Sequence, residues 1–131
     1  MRGARVRQLF LVIFGSGLGG GARYLLGSWI AKALGPVFPY GTIAINTIGS
    51  FLISVVMYMA VTKNVIGSDL RLALTTGVVA GFTTYSTFNY DTMFLVQRGD
   101  PMLAALNVAA TVIVCLLAGV LGLGLARAII G

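Results

Sequence analysis

The sequence predicts an all-α membrane protein with four transmembrane helices, the third of them broken mid-membrane, and three observations carry that expectation. The 131 residues are 58% hydrophobic and 9% charged, with a mean hydropathy of +0.98, too little polar surface to coat a soluble globule of this size. Apolar stretches long enough to cross a bilayer, about 20 residues each, recur four times with short links between them. Residues 81–91, GFTTYSTFNYD, then place hydroxyl, amide and carboxyl groups inside one of those stretches. Lipid does not solvate such a segment, so it must be buried in protein or line a wet cavity.

The elements follow in order. Span one covers residues 8–34 and a proline-bearing link at 35–39 leads to span two at 41–62. Residues 62–69 join it to span three, 70–96, and residues 97–101 join that to span four, 102–126. The 131 residues thus read as a single four-helix transmembrane domain. Arginines precede the first apolar run as in a signal peptide, but the run is long and more membrane follows, so it is read as retained. Small residues at spacings of four, Gly15/Gly19 and Gly17/Gly21 in span one and Ala118, Gly122 and Ala126 in span four, mark close helix contacts.

The net charge of +6 sits mostly at span ends, which removes the reason to invoke nucleic acid. Arg2, Arg5, Arg7, Lys63, Arg71 and Arg127 fall on one side, against Lys32 and Arg98 on the other, so the positive-inside rule puts both termini in the cytoplasm. The chain has no His, and its single Cys115 lies mid-span. An internal disulfide is therefore impossible, a metal or haem site built on His and Cys side chains is not expected, and no nucleophile–base pair is found; no enzyme is expected.

Three isolated polar residues point inward. Arg23 lies well inside span one, where it either snorkels toward the Lys32 end or faces a wet vestibule and attracts anions. Asp91 lies in the second half of span three and either pairs with Arg23 or caps a helix fragment. Asn46 stands in an apolar run, as glue to a neighbouring helix or as an amide that donates to a permeating anion. Thr42 and Gly49 extend its face.

In span three, helix is expected to Ala80. Gly81 permits unusual dihedrals, the following β-branched and aromatic residues are poor helix formers, and Ser86 or Thr87 is placed to cap a new start. Such a break frees carbonyls that suit a cation. The rings of Tyr85 and Phe88, three residues apart, would share one face, and their positive edges suit a compact anion. Four helices hardly enclose a hydrophilic route as well as their own packing surface, so a homodimer is expected.

The strings GTIAINTIG at 41–49 and TGVVAGFTTYSTF at 76–88, with GGGARY at 19–24 upstream, resemble the small fluoride channels of the Fluc/CrcB family over nearly the whole chain. The resemblance implies a passive, fluoride-selective channel of the bacterial inner membrane, surrounded by lipid. It implies an antiparallel, dual-topology homodimer with two pores, each lined by both subunits. On the matching positions Asn46 would contact fluoride, and Tyr85 and Phe88 would present ring edges to it, with Ser86 and Thr87 in the same broken segment. Carbonyls of Ala80 and Thr83 would hold a structural sodium ion at the dimer axis. Thr111 and Cys115 match a polar track along span four, which Asn107 extends, and Arg23 matches the family's span-one arginine.

The chain departs from the family pattern at Tyr85, where Phe is usual, at Ala80 for Gly, at Cys115 for a hydroxyl residue and at Asp91 for Glu. The six-to-two charge bias also departs from the balanced loops of a dual-inserting chain. A heterodimer of two fixed chains accommodates it, as does a weakened bias if Arg71 and Arg127 serve inside the bundle. The rival class is a proton-coupled small multidrug exporter, also a four-span dimer, which needs a titratable intramembrane carboxylate; span one offers Arg23 and no acid, which leaves Asp91. A structural subunit, with Asn46 and the Thr-Ser segment as helix glue, is the third reading.

Overall fold

The structure, a computed structural model, describes residues 2–131. Helix α1 is Arg2–Leu34 and ends at Gly35, whose φ of 84° is the left-handed stop that lets its N–H close on the Ala31 carbonyl at 3.0 Å. Pro39 precedes α2, Tyr40–Met57, which widens into a π-helical turn at Tyr58–Thr62. The third crossing is built from four pieces: α3 (Ser68–Leu72), a π-helical stretch (Ala73–Val79), α4 (Ala80–Phe82) and α5 (Tyr85–Gln97). Gly99, at φ 84°, turns the chain, and Pro101, which has no N–H to leave unpaired, opens α6, Pro101–Ile130.

Among the described residues, three helices are long and apolar enough to span a membrane: Gly3–Leu34, Tyr40–Thr62 and Pro101–Ile130. The third crossing falls outside that set because it is broken, as expected. Helices α1 and α6 run further than the apolar windows of the sequence, since a helix continues past the hydrocarbon wherever nothing stops it.

The four crossings alternate in direction. Helix α2 packs along α6, α1 lies against the Ala73–Val79 stretch and α4, and α5 packs on α6. The approach of α1 to the third crossing depends on missing side chains. A Cβ at Gly15 would meet the Ala73 carbonyl and the Gly77 Cα, both at 2.8 Å, and one at Gly19 would collide with the Val78 carbonyl. Gly17 and Gly21 have open space around them, so only the Gly15/Gly19 pair of the two is a packing face. Ala118, Gly122 and Ala126 line the buried side of α6, with Gly122 on the Phe51 backbone.

Charged contacts fix which ends belong together. Arg7 pairs with Asp69 at 2.6 Å, and the Lys63 ammonium donates to the Gly131 carbonyl. The start of α1, the link after α2 and the end of α6 therefore share one end of the bundle, with Lys32 and Arg98 at the other. The outward face is apolar, with Phe14, Leu18, Leu25, Leu116 and Leu121 all exposed, as a bilayer requires.

Candidate functional site

The third crossing breaks at Thr83 and Thr84, both in extended conformation (φ −80°, ψ 153° and φ −153°, ψ 120°). Gly81 does not open the break, as its sequence position had suggested. It is helical, and its bare Cα admits the Ser16 carbonyl, 2.6 Å from where a Cβ would stand. Nor is the cap Ser86 or Thr87. Thr84 is the N-cap, its hydroxyl accepting from the Thr87 N–H at 3.2 Å and lying 3.0 Å from Ser86 Oγ. The earlier stop follows from Asn46: its Nδ2 donates to the Thr84 carbonyl (3.1 Å), and its Oδ1 accepts from the Thr84 N–H (2.9 Å). A side-chain amide thus imitates a strand partner and holds one extended residue between two helices.

That pairing diverts helix donors. In a continuous helix the Thr84 N–H would close on the Ala80 carbonyl, and the Thr87 N–H on the Thr83 carbonyl. Here they go to Asn46 Oδ1 and Thr84 Oγ1, so the carbonyls of Ala80 and Thr83 lose those partners. These are two carbonyl oxygens without helix donors, three residues apart, of the ligand type that hard cations take.

Beside the break lies an open groove of about 580 Å³ whose walls include Asn46, Tyr85, Phe88, Thr111 and Cys115 together with Ala80 and Thr83. The sequence had named all seven. The rings of Tyr85 and Phe88 stand together, centroids 5.6 Å apart and planes at 54°. Arg23 and Thr87 line a second cavity, about 480 Å³, along with Thr42 and Asp91. Thr84 is the one residue common to both, so the Asn46–Thr84 pair stands between groove and vestibule. Ser86 is exposed and lies beside Thr84 outside the groove lining.

Arg23 and Asp91 share the vestibule but form no ion pair among the described residues. Asp91 instead accepts the Thr42 hydroxyl at 2.6 Å, which ties α2 to α5. It caps no helix.

Proton counting decides what each groove residue can offer. A hydroxyl has one proton, and an amide nitrogen two. Thr47 spends its proton on the Ile43 carbonyl at 2.7 Å, so in its 3.9 Å contact with Cys115 the thiol is the donor. Thr111 donates to Asn107 Oδ1 at 3.4 Å. Both therefore turn lone pairs to the groove. Asn46 gives one amide proton to Thr84 and keeps the other. Asn107 is fully buried and donates to Thr92 Oγ1 at 2.9 Å, so it does not extend the polar track to a wet surface.

Ser50 and Thr75, which sequence reading passed over, also line the groove. For Ser50 the signal was available, since Thr42, Asn46 and Ser50 recur every four residues on one helical face.

The family model described as "CrcB-like protein, Camphor Resistance (CrcB)" matches residues 10–123. The protein belongs to the CrcB-like family. Its relatives include a protein of Anaeromyxobacter sp. (strain K), 48% identical over 111 residues, covering 85% of this chain and 88% of that one. A protein of Sorangium cellulosum (strain So ce56) is 47% identical over 121 residues, covering 89% and 95%, and one of Geotalea daltonii is 42% identical over 119 residues, covering 91% and 95%. All three are named "Fluoride-specific ion channel FluC". With three unbroken apolar spans and a broken third crossing, this CrcB-like chain is a multi-pass membrane protein, and in a bacterium its place is the plasma membrane.

Proposed function

We propose that this CrcB-like chain is the subunit of a fluoride-specific, passive ion channel. One observation carries the reading: a chain 48% identical to a protein of that name places Asn46, Tyr85 and Phe88 around one groove at the helix break. The process is transport without bond change, not enzymatic catalysis.

Fluoride is small and tightly hydrated, so a path must replace its water with donors, none strong enough to trap it. The free Asn46 amide proton and the positive edges of Tyr85 and Phe88 are neutral donors of that kind. Arg23 contributes a permanent positive charge to the vestibule, which concentrates anions at the entrance. Thr111 reaches fluoride by rotating its hydroxyl off Asn107, and the 3.4 Å bond it gives up is long for a hydroxyl donor. Cys115 is the weaker partner on the same track, and Ser86 and Thr87 keep the start of α5 fixed through Thr84. Driven by membrane potential, the channel lets cytoplasmic fluoride leave.

The groove is open on one side and Tyr85 is 78% exposed, which fits closure by a second copy in an antiparallel, dual-topology homodimer with two pores. The carbonyls of Ala80 and Thr83 would hold a structural sodium ion between the copies, supplying fixed positive charge at the break. No observation favours the proton-coupled exporter, whose one carboxylate, Asp91, is engaged by Thr42.

The test is fluoride efflux from liposomes holding the purified protein, read with a fluoride electrode, with chloride and a drug-like cation in parallel. Rapid fluoride efflux that needs no proton gradient, with chloride retained, is expected. Proton-coupled cation movement without fluoride flux would overturn the reading.

A further inference from the structure

A hydrogen-bond chain crosses from α6 to α5 behind the groove. Thr111 Oγ1 donates to Asn107 Oδ1 (3.4 Å), Asn107 Nδ2 donates to Thr92 Oγ1 (2.9 Å), and Thr92 Oγ1 donates to the Phe88 carbonyl (2.8 Å). Every link points the same way, from a groove-lining hydroxyl to the peptide of a groove-lining ring. Asn107 is fully buried and Thr92 is 7% exposed, and neither lines the groove, so water cannot substitute for a lost link between them. A buried amide two turns into α6, with both ends of its side chain engaged, is costly to leave partly paired.

We propose that Asn107 is a positioning residue for permeation: it sets the Thr111 hydroxyl and, through Thr92, the place of Phe88 relative to α6. The inference rests on the fluoride-channel reading and adds a residue that never touches the ion. Three features carry it. The chain is the only hydrogen-bonded link between α5 and α6 among the described side chains, and α5 is otherwise severed from the helix before it at Thr83 and Thr84. A fragment cut loose on its N-terminal side takes its register from its neighbours. Thr92 bonds the carbonyl one turn earlier, so the peptide it fixes is the one bearing the Phe88 ring. Thr111 has one proton, and Asn107 Oδ1 decides where it rests when no anion is near. Asn107 thus controls two walls of one groove from behind both.

The test compares fluoride efflux per reconstituted protein for Thr92→Ser, Thr92→Ala, Asn107→Leu and the Thr92→Ala/Asn107→Leu pair. Thr92→Ser and Thr92→Ala both lose a methyl group and differ by one hydroxyl. Serine is expected to stay within about twofold of the unaltered protein, while Thr92→Ala and Asn107→Leu each fall about tenfold or more. Because both cut one chain, the double variant should lose no more than the worse single one. Unchanged efflux in folded Thr92→Ala or Asn107→Leu protein overturns the proposal, as does a double loss equal to the product of the singles. If the variants do not fold, hydrogen exchange of the Asn107 side-chain amide in the unaltered protein decides. Protection supports the assignment, and exchange at the bulk rate puts Asn107 on the wet path and overturns it. Absence of fluoride efflux from the unaltered protein would instead count against the channel reading, with amide exchange still reporting on Asn107.

Discussion

Asn46 and Thr84 are paired twice, the side-chain amide of one answering both the N–H and the C=O of the other at 2.9 and 3.1 Å. The pair is what keeps the third crossing from closing into a continuous helix, and it stands where groove meets vestibule. Replacing Asn46 with leucine removes both bonds: the Thr84 N–H loses its partner, and the Thr84 carbonyl keeps only the N–H of the first turn of α5. At about 1 kcal/mol per hydrogen bond the loss should be about 2 kcal/mol or more, read as a lower unfolding temperature in detergent. Asn46→Asp still accepts the Thr84 N–H but adds a negative charge and removes the free amide proton. Its fluoride efflux should fall at least about tenfold with a smaller stability loss, and equal losses in both properties would mean that Asn46 acts as glue alone.

Two glycine substitutions of the same size should part company. Gly19→Ala drives a methyl into the Val78 carbonyl, a contact neither backbone can relieve without moving a helix. Overpacking of that kind costs about 1–3 kcal/mol. Gly17→Ala points into open space and gains helix propensity, so it should be neutral or slightly stabilising. Thermal unfolding of the two side by side checks the assignment of the α1 packing face, and similar shifts would contradict it.

The same face shows how far sequence carries the structure. Spacing alone proposed both glycine pairs of α1, because a period of four recurs on any face; which face is inside depends on where Gly77 and Val78 sit in another helix. The four crossings and the existence of a break were legible, since length, hydropathy and clustered β-branched residues act locally. The position of the break was not. It is set by Asn46, from a different helix, and a local reading that weighed only Gly81 and the hydroxyls after it could not place it at Thr84. Of the seven residues expected along the path, Asn46, Tyr85, Phe88, Thr111 and Cys115 line one groove while Ser86 and Thr87 do not, and it was the resemblance to a known family, more than spacing, that had singled them out. The role of Asn107 escaped for the opposite reason: its one-turn spacing from Thr111 suggests a continuing track, and only the packing of α5 on α6 shows it sealed behind Thr92.

Tyr85 and Phe88 should respond differently to loss of polarity and loss of aromaticity. The Tyr85 hydroxyl has no hydrogen-bond partner among the described residues, and the ring edge remains in Tyr85→Phe, which should keep efflux within about twofold. Phe88→Ile keeps bulk and removes the positive edge, so fluoride efflux should fall about tenfold or more while unfolding temperature changes little. Flux that survives in Phe88→Ile would mean that the ring only fills space.

Asp91 separates the channel from the exporter. A proton-coupled cycle needs a carboxylate that titrates, and asparagine does not. A passive channel needs Asp91 only as the acceptor of the Thr42 hydroxyl, and an asparagine carbonyl oxygen also accepts, through a weaker neutral bond. Asp91→Asn should therefore retain fluoride efflux within about threefold, whereas Asp91→Leu, which strands the Thr42 hydroxyl, should lose about 1 kcal/mol of stability. Liposome efflux with and without an imposed proton gradient reads both outcomes. If Asp91→Asn abolished transport, and the unaltered protein moved its solute only against a proton gradient, Asp91 would be the coupling residue and a passive pathway through the Asn46 groove would have to be abandoned.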